Sequence, residues 1–291
     1  MSAPASDNDR LSIGSRLFVG LQYFLPQILL TRLIGWFATR DIVWFKNLLI
    51  RGLVRGYSIN TREAAGRVPE DYASLNAFFT RTLREGARDI DATAGAIVSP
   101  CDGAISQLGA IEDGRLVQAK GFRYTVAELI DDDAQAARYD GGSFITVYLA
   151  PYDYHRVHMP IAGTIRDHRH VPGRLFSVNG ATAAAVPRLF SRNERRVFHI
   201  DGDAPMVMVM VGALNVGSIT TTWHGEVTAG DHERALSLPV PEMPLERGET
   251  VGWFNMGSTV ILLAPRGATW RDGLVAGDVL RMGERIGALT E

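Results

Sequence analysis

The chain carries a single cysteine, Cys101, so no intramolecular disulfide can form, and no Cys-x-x-Cys pair exists to hold zinc or to run thiol redox chemistry. An excess of charge of either sign is missing too: Lys and Arg total 30 against 32 Asp and Glu, a formal charge of -2, which excludes a global pull toward nucleic acid. The first ten residues hold Asp7 and Asp9 where a basic leader would be, and no small-residue cleavage site follows a short apolar run, so a secretory signal is not expected. Also lacking is the run of about 20 apolar residues that spans a bilayer. The longest uncharged stretch near the N-terminus, Leu17 to Thr31, is interrupted by Gln22 and Pro26. Internal repeats and low-complexity segments are absent as well. What remains is 46% apolar, enough for a substantial core and incompatible with a wholly disordered chain.

Two textures divide the sequence. From Arg16 to Tyr57, Leu, Ile, Phe and Trp are dense and turn residues sparse, which predicts helices. Between Leu11 and Asn60 the bases Arg16, Arg32, Arg40, Lys46, Arg51 and Arg55 face one acid, Asp41. Basic, Trp-bearing amphipathic helices suit an anionic interface, with Trp36 and Trp44 at headgroup level; helices packing on a core share much of that composition. A further helix is predicted over Tyr72 to Arg88, with Ser74 as its N-cap and Gly86 as its stop. After it come short β-branched runs separated by Gly, Pro and Asp: Ala96–Ser99, Gly103–Leu108, Ser143–Leu149, Met206–Val211, Gly217–Trp223 and Thr259–Ala264. Val126–Asp132 and Ala181–Phe190 read as short helical connections. No regular strand–helix alternation supports a doubly wound sheet. The expected fold is α+β: residues 1–70 form a helical, membrane-associating region, and residues 71–291 a compact, mainly-β catalytic core. "AGAIVSPCDGAIS" and "LVAGDVLRMGERIGAL" look like the Gly-turned strands of barrel-sandwich folds.

Three segments carry candidate chemistry. "SPCDGAISQLG" sets Asp102 at a tight turn before Gly103; alone, Asp-Gly is most often an Asx-turn. "YLAPYDYHRVHMP" sets His155 and His158 three residues apart between two prolines, where a pair of partly buried structural histidines is the plainer reading. "GWFNMGSTVILL" puts Ser258 at the mouth of a buried strand. Gly-Ser-Thr by itself is commonly a turn, and Val260 two positions on rules out the Gly-x-Ser-x-Gly elbow of hydrolases. Together, Asp102, His158 and Ser258 supply the parts of a base-activated nucleophile: a hydroxyl, an imidazole to take its proton, and a carboxylate to orient the ring. A zinc peptidase using His155, His158 and either His168 or His170 is one rival reading. A non-catalytic barrel-sandwich carrier is another, although the lysine hairpin expected of such carriers is missing.

"DGAISQLG", "YDYHRVHMP", "VPGRLFSVN", "LFSRNERR" and "FNMGSTVILL", in this order, resemble the bacterial, proteobacterial-type, pyruvoyl-dependent phosphatidylserine decarboxylases. "LQYFLPQILLTRLIGWFA" resembles the membrane-associating helices of that family, so the likeness runs from about Leu21 to Ala264. One departure is Met256, where the family commonly has Leu; an apolar residue of similar volume is tolerated. The resemblance implies self-cleavage between Gly257 and Ser258 by the charge relay of Asp102, His158 and Ser258, giving a large chain, 1–257, and a small chain, 258–291. Ser258 would become a covalent pyruvoyl group, able to hold the substrate amine as a Schiff base and to accept electrons as carboxylate leaves. His155 is implied in decarboxylation and protonation. The expected reaction converts phosphatidylserine to phosphatidylethanolamine and carbon dioxide in phospholipid biosynthesis, with no metal and no nucleic-acid partner. Expected besides are peripheral attachment to an anionic surface at the cytoplasmic face of the cell membrane, and compatibility with a homodimer.

Overall fold

The computed structural model describes residues 12–214, 218–255 and 258–289. Met256 and Gly257 of the expected cleavage motif, and Gly217 at the edge of an expected strand, lie outside the described residues.

Three helices open the chain: α1 (Ile13–Gln22), α2 (Gln27–Ala38) and α3 (Val43–Tyr57). Each end has a local cause. The Ser12 hydroxyl caps α1 by accepting from the Ser15 N–H. Pro26 sits at the N-cap of α2, where its missing N–H costs nothing. Ser58 ends α3 in the left-handed conformation. Among the described residues no single helix is long and apolar enough to cross a membrane, and α1 and α2 are bent by 96° at their junction. Large apolar side chains stand out from all three, among them Leu17 (70% exposed), Leu29 (67%) and Trp44 (69%). Not every base in this region faces outward. Lys46 is buried and donates to the Pro69 carbonyl, and Arg32 pairs with Asp231.

Two buried glutamines staple these helices to the rest of the chain. The Gln22 amide accepts from Ser177 N at 2.7 Å and donates to Thr182 Oγ1 at 3.3 Å. Gln27 accepts from Leu175 N at 2.9 Å and donates to the Gln22 carbonyl at 2.9 Å. α3 packs through Ile50, Leu53 and Val54, one face at helical spacing, into a small cluster with Ile59, Tyr72 and Phe78.

Helix α4 (Leu75–Phe79) is shorter than its sequence suggests. Ser74 caps it as expected, accepting from Ala77 N, but it ends well before Gly86. Beyond Thr80 the backbone pairs instead with residues 63–65: Ala65 N donates to Thr82 O, and Arg84 N to Glu63 O. That pairing satisfies the amides a longer helix would have used.

The remaining strands, in chain order, are β1 (Ala96–Val98), β2 (Gly103–Ala110), β3 (Arg115–Val117), β4 (Arg123–Thr125), β5 (Ser143–Leu149), β6 (Arg156–His158), β7 (Thr164–Val171), β8 (Arg195–Asp201), β9 (Pro205–Val211), β10 (Ser218–Thr221), β11 (Gly225–Thr228), β12 (Leu236–Leu238), β13 (Thr250–Phe254), β14 (Ser258–Ala264), β15 (Ala268–Trp270), β16 (Val279–Leu280) and β17 (Arg285–Leu289). An eight-stranded sheet runs β12-β7-β8-β9-β14-β5-β2-β16, and a four-stranded sheet runs β11-β10-β13-β6. β14 lies between β9 and β5, antiparallel to both, and every residue of it is buried. The two Gly-turned segments pair with each other, β1 with β17 and β2 with β16. At Gly103, a Cβ would come within 2.5 Å of the Tyr148 carbonyl oxygen, so only glycine fits beside Asp102.

β7 and β8 are the longest of the strands the sequence conceals, which also include β3, β4, β6, β11, β12, β13 and β15. "TIRDHRHV" and "RRVFHID" look polar because they carry His168, His170, Arg195 and Arg196, all buried. Arg195 is sheltered by bonds to the carbonyls of Leu129, Glu128, Ser191 and Asn193. The His168 ring stacks on Phe198 at 4.6 Å.

Two predictions follow from this packing. Gln27→Ala leaves the buried Leu175 N–H without its acceptor, a loss of about 1–3 kcal/mol, to be read as a lower denaturation midpoint in urea. The second concerns acid. Burial holds His155 and His168 down at about 3, and His158 and His170 at about 4, against an ordinary 6.5. The unfolded chain therefore binds protons below about 6.5 that the folded one refuses, and these groups make stability fall with pH toward about 4. Buried Glu194 and Asp153, pushed up to about 7 and about 6, act in the opposite sense but are fewer. A urea midpoint that falls between pH 6.5 and 4.5 is expected, and a flat or rising midpoint over that window contradicts the assignment.

Candidate active site

Asp102 occupies the turn between β1 and β2, and both its oxygens are engaged. Arg88 Nε donates to Oδ1 at 3.0 Å, Arg88 Nη2 pairs with Oδ2, and the Met282 N–H donates to Oδ1 at 2.8 Å. Arg88 also bridges to Glu63 at 2.9 Å; these carboxylates raise its pKa further despite its desolvation. The carboxylate borders a cavity of ≈ 250 Å³ shared with Glu63, Arg81, Asp153 and Tyr154. Neither His158 nor Ser258 borders it.

His158 ends β6, next to that turn, its backbone N–H donating to the Pro100 carbonyl at 2.8 Å. Its Nδ1 lies 2.8 Å from the Gly248 carbonyl, which can only accept, so Nδ1 carries the proton. Nε2 then bears the lone pair and takes a hydrogen bond from the Tyr154 hydroxyl at 3.1 Å. Burial lowers its pKa to about 4, and the nearby charge of Asp102 opposes that shift. The ring is neutral at pH 7, as a proton acceptor must be.

His155 lies in the turn before β6 and is fully buried. Its Nδ1–H donates to the Asp153 carbonyl at 2.9 Å, while Nε2 is buried with no partner among the described residues. Desolvation first, and the charge of Arg81 second among the depressing influences, bring its pKa to about 3. Its own carbonyl accepts from Phe254 N at 3.2 Å, which ties the turn to the end of β13. Asp153 accepts from Ala150 N at 2.7 Å, and burial pushes its carboxyl up to about 6.

Ser258 opens β14 opposite Leu149. Its Oγ is sealed from solvent and has no hydrogen-bond partner among the described residues. A buried hydroxyl without a partner is unfavourable by roughly 1–3 kcal/mol and is uncommon in folded chains. Just ahead of it, Asn255 donates to Ser218 Oγ at 2.7 Å and Thr220 Oγ1 at 2.9 Å, and accepts from Asn76 Nδ2 at 3.1 Å.

No hydrogen bond joins Asp102, His158 and Ser258 among the described residues. What the fold does is to lay β6 against the turn that holds Asp102, and to bury both the Ser258 hydroxyl and the His155 Nε2 without a partner among the described residues. Gly257, whose carbonyl a serine hydroxyl would attack, is outside the described residues. Sequence reasoning missed Arg88, Tyr154, Asp153, Asn255 and Phe79. Tyr154 and Asp153 are visible within "YDYHRVHMP", whereas Arg88 and Phe79 give no signal because the sequence puts both in the short helix expected over Tyr72 to Arg88. The third histidine of a zinc site is not brought to His155 and His158. His168 bonds the Pro239 carbonyl from β7, and no cluster of three or more His, Cys, Asp or Glu suited to a metal occurs among the described residues.

Two family models match the chain: one described as phosphatidylserine decarboxylase over residues 75–288, and one described as PSD over residues 17–58. A phosphatidylserine decarboxylase proenzyme of Pseudomonas aeruginosa strain LESB58 is 49% identical over 284 residues, 94% of this chain and 97% of that protein. Proteins of the same name from Azotobacter vinelandii, 49% identical over 280 residues, and Methylococcus capsulatus, 47% identical over 278 residues, each cover 94% of this chain and 98% and 96% of their own lengths. With both the helical N-terminal segment and the β core matched, the chain belongs to the phosphatidylserine decarboxylase family.

Proposed function

We propose that this chain is a proenzyme that cuts itself between Gly257 and Ser258 and then decarboxylates phosphatidylserine to phosphatidylethanolamine, the pyruvoyl group being made from Ser258. The observation that carries the reading is the Ser258 hydroxyl: buried, unpartnered, and at the first residue of the central strand in a member of this family.

Processing begins with His158. Its Nε2 is an acceptor, so exchanging the Tyr154 hydroxyl for Ser258 Oγ lets it take the serine proton. Oγ attacks the Gly257 carbonyl carbon, and the Ser258 nitrogen leaves as an amine, so an ester replaces the peptide bond. Loss of the Ser258 α-proton then breaks the Cβ–O bond of that ester. The Gly257 carboxylate departs, and water converts the remaining dehydroalanine to a pyruvoyl group with release of ammonia. Asp102 is the orienting carboxylate in this scheme, a role that requires it to loosen its grip on Arg88 and to take the His158 Nδ1–H from the Gly248 carbonyl.

The residues suit such a group, because Ser258, whose Cα would become the keto carbon, is fully buried, and the buried His155 Nε2 has no partner among the described residues. A pyruvoyl carbonyl supplies an electron sink for the departing carboxylate. His155, held neutral and with Nδ1–H committed to Asp153, presents Nε2 as acceptor. It takes a proton from the substrate ammonium and returns one to the α-carbon after carbon dioxide leaves. The apolar side chains exposed on α1 to α3 support peripheral attachment at an anionic membrane face, the cytoplasmic leaflet being the anionic one.

Ser258→Ala should give one full-length polypeptide by intact mass under denaturing conditions and release no carbon dioxide from phosphatidylserine; splitting or turnover by that variant sinks the proposal. His158→Ala and Asp102→Asn should likewise slow cleavage, by about 10²–10⁴-fold for loss of the base. His155→Ala should split normally yet lose turnover. Were its splitting to stop as well, the roles of the two histidines would have to be exchanged.

A further inference from the structure

Helix α4 and the two residues after it reach both candidate catalytic segments. At its start Asn76 bonds Asn255, three positions before Ser258. At its end the Phe79 ring lies against His155, with 3.9 Å between centroids and 38° between planes. Thr80 and Arg81 continue the contact: Arg156 Nε donates to the Thr80 carbonyl at 2.9 Å, and Arg81 Nη2 reaches the Asp153 carbonyl at 3.5 Å.

The imidazole needs such support. One edge is fixed by the bond from Nδ1–H to the Asp153 carbonyl, but Nε2 has no partner among the described residues to fix the other. Rotation about χ2 of histidine is broad, so a ring held at one nitrogen keeps its plane only where packing blocks the turn. Phe79, 2% exposed, supplies that block with a flat face. The helix presenting it is five residues long and cannot be stable alone. It is fixed by the Ser74 cap and by Phe78, which packs with Ile50 of α3 and Ile59, and stands edge-on to Tyr72 at 5.3 Å.

We propose that Phe79 is a positioning residue for His155: its ring face holds the imidazole plane so that Nε2 stays aimed at the reacting centre, and α4 carries that constraint from the helical layer to the β core. The inference rests on the reading of His155 as the proton carrier in turnover. Phe79 itself touches no reacting atom. If its burial served packing alone, any apolar side chain of similar volume would replace it.

Phe79→Met keeps the volume and removes the flat face, whereas Phe79→Tyr keeps the face. With phosphatidylserine in mixed micelles, the fully processed Phe79→Met enzyme should lose about ten- to a hundredfold in kcat, as for a displaced catalytic group, with KM nearly unchanged; Phe79→Tyr should recover most of that loss. Wild-type kcat in Phe79→Met, or equal damage in both variants, overturns the proposal. His155→Ala, measured alongside, separates the two ideas: undiminished turnover there sinks the role of His155 and not only that of Phe79. A readout independent of variant folding is the proton spectrum of the unaltered processed enzyme. Its His155 ring protons should be shifted upfield by the Phe79 ring current, and unshifted resonances overturn the stacking as a feature of the working enzyme.

Discussion

Everything at the candidate site follows from where β14 begins. β5 pairs with its whole length and β9 with Thr259–Leu263, and each residue from Ser258 to Ala264 is buried. A hydroxyl at the first position of such a strand cannot turn to water, and it finds no partner among the described residues either. Water exclusion also strengthens whatever electrostatic contact that hydroxyl makes, because the surroundings screen little. A nucleophile so placed has its immediate surroundings, above all the backbone just ahead of it, as its natural target.

The histidines show the same economy of placement. Both keep Nδ1–H on a backbone carbonyl, Asp153 for one and Gly248 for the other, so each has a single tautomer and a lone pair on Nε2. They differ in the other nitrogen. His158 is met by the Tyr154 hydroxyl and stands beside the Asp102 turn, whereas His155 is left open and is steadied by an aromatic face. Identical side chains three residues apart thus acquire different chemical opportunities from their second contacts.

Much of this was legible in the sequence, and the failures have definite causes. The strands over Ser143–Leu149 and Thr259–Ala264 were read nearly to the residue, because both are continuous β-branched and apolar runs. The Ser74 cap and the Asp102 turn were equally plain. β7 and β8 were not, since buried arginine and histidine break the apolar pattern, and the carbonyls and aromatic faces that shelter them come from distant segments. α4 was drawn too long because local propensity says nothing of the pairing of residues 82–84 with 63–65. The residue types of the site could be picked out as a set, but their present bonds could not: nothing in the sequence shows that Asp102 is held by Arg88, from a segment read as helix.

The position of β14 has a mechanical corollary. A cut just before Ser258 would put β14, β15, β16 and β17 on one piece, and β1, β2, β5 and β9, with which three of those strands pair, on the other. The smaller piece would then own an interior strand of a sheet whose adjoining strands on both sides, β9 and β5, belong to the larger. Two polypeptides woven in that way need no covalent tether, and they could be parted only by dismantling the core itself.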